Sequence, residues 1–306
     1  FHPLADAIKL LTKEDFIPPS GNRLVHTLAP FIAFTTAFIG FAVIPFGPPV
    51  HILGREISLQ VADLNIGILF VFVAAGLSIY AIIFAGLSSD NKYGMLGAIR
   101  GAAQTISYEV SMALAVIALL MVFGSLKLSE MALAQGGEFF GILPRWGIFL
   151  QPLGFLIFFT AAVAETKRIP FDLPEGESEI VGFFVEYSGM KFGLFWLGEF
   201  VEIVVMSGLM ATLYFGGWQV PFLTPHGFAF TGGWEIAVSS GLVVLLQVSA
   251  FVMKVVFFCW LQMLIRWTLP RFRFDQLMRL GWKGLLPLAL LNILVTGMVI
   301  LFVQGS

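Results

Sequence analysis

Seven long apolar runs dominate this sequence: Leu24–Ile44, Leu64–Leu87, Ala102–Phe123, Ile148–Ala164, Phe192–Phe215, Ile236–Ile265 and Leu285–Val303. Each is near the ~20 residues that a helix needs to cross a bilayer core; the fourth is the shortest and the sixth is long enough to tilt. The runs are continuous and do not alternate as the strands of a membrane barrel do. They therefore predict an all-α, polytopic integral membrane protein, with 1–306 forming one membrane domain. Only 12% of the residues are charged, about half the share in soluble domains.

Residues 1–16 differ. Leu4, Ile8 and Leu11 fall on one helical face, with Asp6, Lys9 and Lys13 on the other. That pattern predicts an amphipathic helix lying in the membrane interface before the spans of 24–303.

The chain's orientation follows from its basic residues. Thirteen of the seventeen lie in the N-terminal segment and in alternate connections, from Lys92 and Arg100 to Arg266–Lys283. The positive-inside bias places the N-terminal segment and the 166–190 connection in the cytoplasm.

The connection at 164–192 holds six of the nineteen acids: Glu165, Asp172, Glu175, Glu177, Glu179 and Glu186. Lys167, Arg168 and Lys191 are its only bases. Ile169, Phe171, Leu173, Ile180, Phe183 and Phe184 lie between the acids, and Pro170 and Pro174 stiffen the chain. This composition predicts a folded loop, partly sunk in the membrane surface, and not a solvated acidic tail.

Further ionisable groups lie inside the spans. Glu109 is about eight residues into its run, hence roughly 12 Å deep at 1.5 Å per residue. Glu199 is at a similar depth, and Glu202 is one turn further in on the same face. Lys254 is twelve residues from Arg266, near mid-membrane. Charge at such depth is costly and marks ion paths or paired structural contacts. Acids at graded depths behind an acidic loop suit a proton relay, because buried carboxyls can hold a proton near neutral pH. Lys254 fits either a further station or a counter-ion to Glu199 or Glu202.

Other chemistries have no support in the sequence. One cysteine, Cys259, and four scattered histidines provide no metal-ligand spacing. Nucleotide-binding glycine motifs are missing as well. The net charge of −2 argues against a nucleic-acid partner. GxxxG spacings at Gly97/Gly101 and Gly189/Gly193 predict close helix packing.

The run AETKRIPFDLPEGESE at 164–179, with EYSGMKF at 186–192, resembles the H subunit of bacterial NADH–quinone oxidoreductase, respiratory complex I. Further similarity lies in PLADAIKLLTKED at 3–15, IPFGPP at 44–49, NKYGMLGAIRGAAQTISYEV at 91–110, YFGGW at 214–218 and RFRFDQLMRLGWKGLLPLAL at 271–290. The resemblance implies a family fold of eight transmembrane helices, of which this chain matches seven and starts inside the amphipathic helix. It implies a subunit without a redox centre, which forms much of a quinone chamber. The substrate is ubiquinone or menaquinone; FMN and iron–sulfur clusters belong to partner subunits. Peripheral subunits are the cytoplasmic partners, small and antiporter-like membrane subunits are the lateral ones, and the location is the bacterial inner membrane. Glu109, Glu165 and Glu199 map to the family's chain of acids. Arg168, Phe171, Asp172, Glu175, Glu177, Glu179 and Glu186 map to the chamber and its loop. Glu202 is an acid where the family has a neutral polar residue. Two rival readings are the homologous anchor of a nickel–iron hydrogenase or formate hydrogenlyase, and a stand-alone ion transporter or passive anchor. The missing repeat symmetry lowers the transporter reading.

Overall fold

The structure, a computed structural model, describes residues 1–306 apart from 53–54, 140–142, 177–179, 181, 225–226, 230–234 and 306. Helix α1 (His2–Thr12) comes first, then α2 (Arg23–Phe41), α3 (Gly67–Ser88), α4 (Lys92–Phe123), α5 (Leu128–Ala134), α6 (Gly147–Leu150) and α7 (Pro152–Glu165). After the acidic loop come α8 (Gly189–Tyr214), α9 (Ser240–Thr268), α10 (Phe274–Arg279) and α11 (Leu286–Gly305), the last two joined by a π-helical turn over Leu280–Leu285. Among the described residues, six helices are long and apolar enough to span: α2, α3, α4, α8, α9 and the continuous Phe274–Val303 segment. The protein is thus a polytopic, all-α membrane protein.

The fourth predicted run departs from the others. Its helix α7 has 14 residues, about 21 Å at 1.5 Å per residue, against a bilayer core of about 30 Å. The break lies at Gln151–Pro152: proline tolerates the first helical turn but cannot donate to a preceding one. The one-turn helix α6 continues beyond it. The sixth run is also trimmed, because Ile236 and Ala237 pair with Phe228 and Gly227 in a three-stranded sheet before α9 begins. Among the described residues, short strands of this kind lie in connections between helices.

Helix α4 is the central post, packing against α3, α7 and α11, while α8 packs against α2 and α9. At 32 residues α4 is about 48 Å long, so it projects past the bilayer core towards the acidic loop. The expected close packing of Gly97 and Gly101 is real, but the partner is that loop. A Cβ on Gly97 would stand 3.0 Å from the Phe183 nitrogen and 3.2 Å from the Pro174 carbonyl oxygen; one on Gly101 would meet the Pro174 ring at 3.0 Å. Gly189 and Gly193 instead receive α1, through the Lys13 carbonyl and the Leu10 side chain. On α1 the apolar face of Leu4, Ile8 and Leu11 is exposed, as an interfacial helix requires. Helices α9 and α11 leave most of their apolar surface uncovered by this chain, the inverse of a soluble core.

Candidate functional site: buried carboxyls under the acidic loop

The loop folds because polar side chains grip its backbone. Gln104 of α4, fully buried, donates from Nε2 to the carbonyls of Ala164 and Phe171, both at 2.7 Å. These two bonds bracket the turn that carries Glu165, Lys167 and Arg168. The Phe183 N–H closes the loop on the Pro174 carbonyl, and the Phe272 N–H bonds the Pro170 carbonyl. Phe171 is buried against Tyr108 and Phe272. A buried loop must satisfy its backbone in this way.

Cations from the same turn meet acids of α8. The Lys167 ammonium lies 3.3 Å from a Glu202 carboxylate oxygen, and Arg168 Nη2 lies 3.2 Å from Glu199 Oε2. Arg168 also covers the Phe200 ring at 5.0 Å. All four charged side chains are buried. The Glu175 side chain meets the Glu199 carboxyl from the loop side. Glu165, the last residue of α7, is fully buried and neither carboxyl oxygen has a hydrogen-bond partner; Glu202, Lys167 and Glu109 are its charged neighbours. Glu109 is half-buried and rests against Gly76 of α3, where a Cβ would stand 3.3 Å from its carboxyl oxygen. Beside these groups, Lys167, Glu199 and Glu202 line a cavity with Thr36 and Ser78, of about 40 Å³. One water needs roughly 10–15 Å³ by this measure, so the cavity has room for a few.

Farther along the loop, Asp172 is buried and paired with Arg271 at 2.8 Å, while its Oδ1 has no partner. Burial, then the Glu175 charge, raise its carboxyl from an ordinary value of 3.8 to about 7, against the lowering pull of Arg271, Arg168 and Arg266. A folded-state value above the unfolded one means that the fold binds this proton more tightly. The contribution of Asp172 to stability therefore declines as pH rises from about 4 to about 7, and is level above that. Thermal unfolding of the detergent-solubilised protein across this window is expected to show that decline, and Asp172→Asn is expected to flatten it. An unchanged slope in the variant would assign the titration elsewhere.

Glu186 is half-buried and accepts a bond from Asn91 at 2.9 Å. The next residue, Tyr187, stacks on His26 and shares a hydrogen bond with Ser88. Glu177 and Glu179 lie outside the described residues.

Lys254 is not among these acids. Its ammonium donates to the carbonyls of Phe215, Gly217 and Gln219 at 2.7, 2.8 and 2.7 Å, and lies 4.6 Å from the Trp146 ring centroid. The reading of it as a counter-ion to Glu199 or Glu202 is thereby corrected: Arg168 and Lys167 hold those places. An ammonium has three donors, and all three are taken by the irregular chain that follows α8. Sequence reasoning passed over Lys167, Gln104, Arg271 and the hydroxyls of Thr36 and Ser78. Only Lys167 gave a signal, as a cation two residues beyond an acid at the end of an apolar run.

The model of the family described as NADH dehydrogenase matches residues 1–297. The chain is 49% identical over 302 residues to an NADH-quinone oxidoreductase H subunit of Geobacter sulfurreducens, covering 98% of this chain and 83% of that protein. It is 44% identical over 298 residues to an H subunit of Rhizobium meliloti (97% and 83%), and 42% identical over 300 residues to one of Cytophaga hutchinsonii (98% and 83%).

Proposed function

This chain belongs to the NADH dehydrogenase family, alongside the H subunits of NADH–quinone oxidoreductase, and on that footing we propose that it forms much of a quinone chamber and couples quinone reduction to proton movement. The observation that carries this reading is the cluster of buried carboxyls, Glu165, Glu199 and Glu202, held under the acidic loop beside a mainly apolar cavity into which Lys167, Glu199, Glu202, Thr36 and Ser78 bring the polar groups. Carboxyls in such a place cost free energy unless their protonation or pairing serves a purpose.

Quinone reduction consumes two electrons and two protons, with the electrons supplied from FMN and iron–sulfur clusters of partner subunits. Arg168, Phe171, Asp172, Glu175 and Glu186 form the chamber side of the loop. Charge appearing there acts on Glu199 through Arg168 and Glu175, and on Glu165 through Lys167. Glu109 is the next acid inward, beside Glu165. Peripheral subunits dock on the loop face, and small and antiporter-like membrane subunits lie alongside. The basic residues of the alternate connections support a cytoplasmic loop in a bacterial inner membrane.

The test is Glu199→Gln or Glu109→Gln in the assembled complex reconstituted in vesicles. Assembled complex is counted by NADH oxidation with an artificial acceptor, and quinone-coupled proton uptake per complex is expected to fall about tenfold or more. Full coupling in both variants would remove the relay.

A further inference from the structure

We propose that Lys167 is a counter-charge shared between Glu202 and Glu165, so that one ammonium allows only one of the two carboxyls to be ionised at a time. This assignment rests on the relay reading and adds a positioning residue to it.

The count of charges around the site is the basis. Helix α8 presents Glu199 and Glu202, α7 presents Glu165, α4 presents Glu109, and the loop presents Lys167, Arg168 and Glu175. From α2 and α3 the described lining of the cavity carries no charge: beside apolar residues it has the hydroxyls of Thr36 and Ser78. Arg168 faces Glu199 at 3.2 Å, without a hydrogen bond between these atoms, and lies over Phe200. Lys167 is then the cation left for two acids. It is paired with Glu202 at 3.3 Å, while Glu165 is fully buried with both oxygens unpartnered. An ionised carboxylate is not stable in that setting without a partner, so Glu165 as it stands is neutral.

Lys167 is suited to serve both. Its backbone is pinned in the left-handed region at φ 54° and its N–H bonds the Ala164 carbonyl at 3.3 Å. The four-carbon stem is free of that restraint, and the ammonium faces the cavity of about 40 Å³. Among the described residues Glu202 is its one hydrogen-bond acceptor, leaving donors for Glu165 or for water. Burial lowers its proton affinity, but the carboxylates beside it, Glu202 foremost, more than offset this, so the ammonium stays charged. Two discrete pairings of one cation make the two-state element that coupling between sites requires.

The experiment compares Lys167→Met/Glu202→Gln, Lys167→Arg, Glu199→Gln and Glu109→Gln in the assembled complex in vesicles. Protons translocated per quinone reduced are measured, with assembly counted by NADH oxidation with an artificial acceptor. The double variant removes the Lys167–Glu202 pair without leaving a lone charge there, and deprives Glu165 of its cation. It is expected to translocate about tenfold fewer protons per quinone reduced, whereas Lys167→Arg, which keeps the charge, is expected to pump. A ratio is read because a merely structural defect lowers both quantities together. Wild-type pumping by the double variant would overturn the proposal, as would loss of pumping in Lys167→Arg. If Glu199→Gln and Glu109→Gln also pump normally, the relay reading falls with it; if only the double variant does, the relay stands and the Lys167 role fails. Should the double variant not assemble, Glu202→Gln alone decides. It leaves Lys167 to Glu165 permanently, so lost pumping is expected and intact pumping overturns the idea.

Discussion

Lys254→Met is expected to destabilise the protein more than any other single change on the α8–α9 side. The ammonium donates to three carbonyls of the chain that follows α8, over residues 215–219. Methionine matches the stem in size but offers no donor, so each carbonyl is left without its partner at about 1–3 kcal/mol per buried group. The attraction to the Trp146 ring is lost as well, worth about 0.5–2 kcal/mol. The expected phenotype is a markedly lower unfolding midpoint in detergent and a poor yield of assembled complex. Lys254→Arg should recover part of it, since a guanidinium keeps charge and donors but spreads them differently. A Lys254→Met protein as heat-resistant as the wild type would show that water can replace all three bonds.

Arg168→Met is the second. Here the loss falls on Glu199, whose carboxyl is buried beside Arg168 at 3.2 Å and crowded by Glu175. Breaking a buried pair by removing one partner costs about 3–5 kcal/mol, because the remaining charge is uncompensated. The protein can avoid that cost by keeping Glu199 protonated. Stability then survives and coupling does not, which differs from the outcome at Lys254. Unfolding midpoint and quinone-coupled turnover, measured on the same preparation, separate the two. The Arg168→Met/Glu199→Gln pair should keep that stability and still lack turnover. Restored turnover would reduce the arginine to a packing role.

Much of this arrangement was legible in the sequence because the bilayer imposes a one-dimensional rule. Apolar length predicts a span, and an acid in a span stands out against it. Glu109, Glu199 and Glu202 were legible for that reason, and the 164–192 segment by its mixture of acids with phenylalanines. What the sequence did not reveal is which cation meets which acid. Asp172 finds Arg271 across 99 residues, and Glu202 finds Lys167 across 35; no spacing rule encodes either contact, since each depends on which helices are neighbours. Lys254 misled for the same reason. Its depth suggested a carboxylate partner, whereas three carbonyls released where α8 ends were nearer. The shortness of α7 was visible in the run length, but its break at Gln151–Pro152 needed the backbone. The paired glycines of α4 were recognised as a contact surface and assigned to the wrong kind of neighbour.

That neighbour matters mechanically. A surface segment tethered only at its ends can shift while the scaffold stays still. This one is seated in a notch cut by two missing side chains on α4, with Gln104 as a clasp a turn further along. Lifting the segment breaks its contacts with a helix that runs on to Gly124, about 48 Å from where it starts. Detaching the loop thus costs the glycine packing and both Gln104 hydrogen bonds at once.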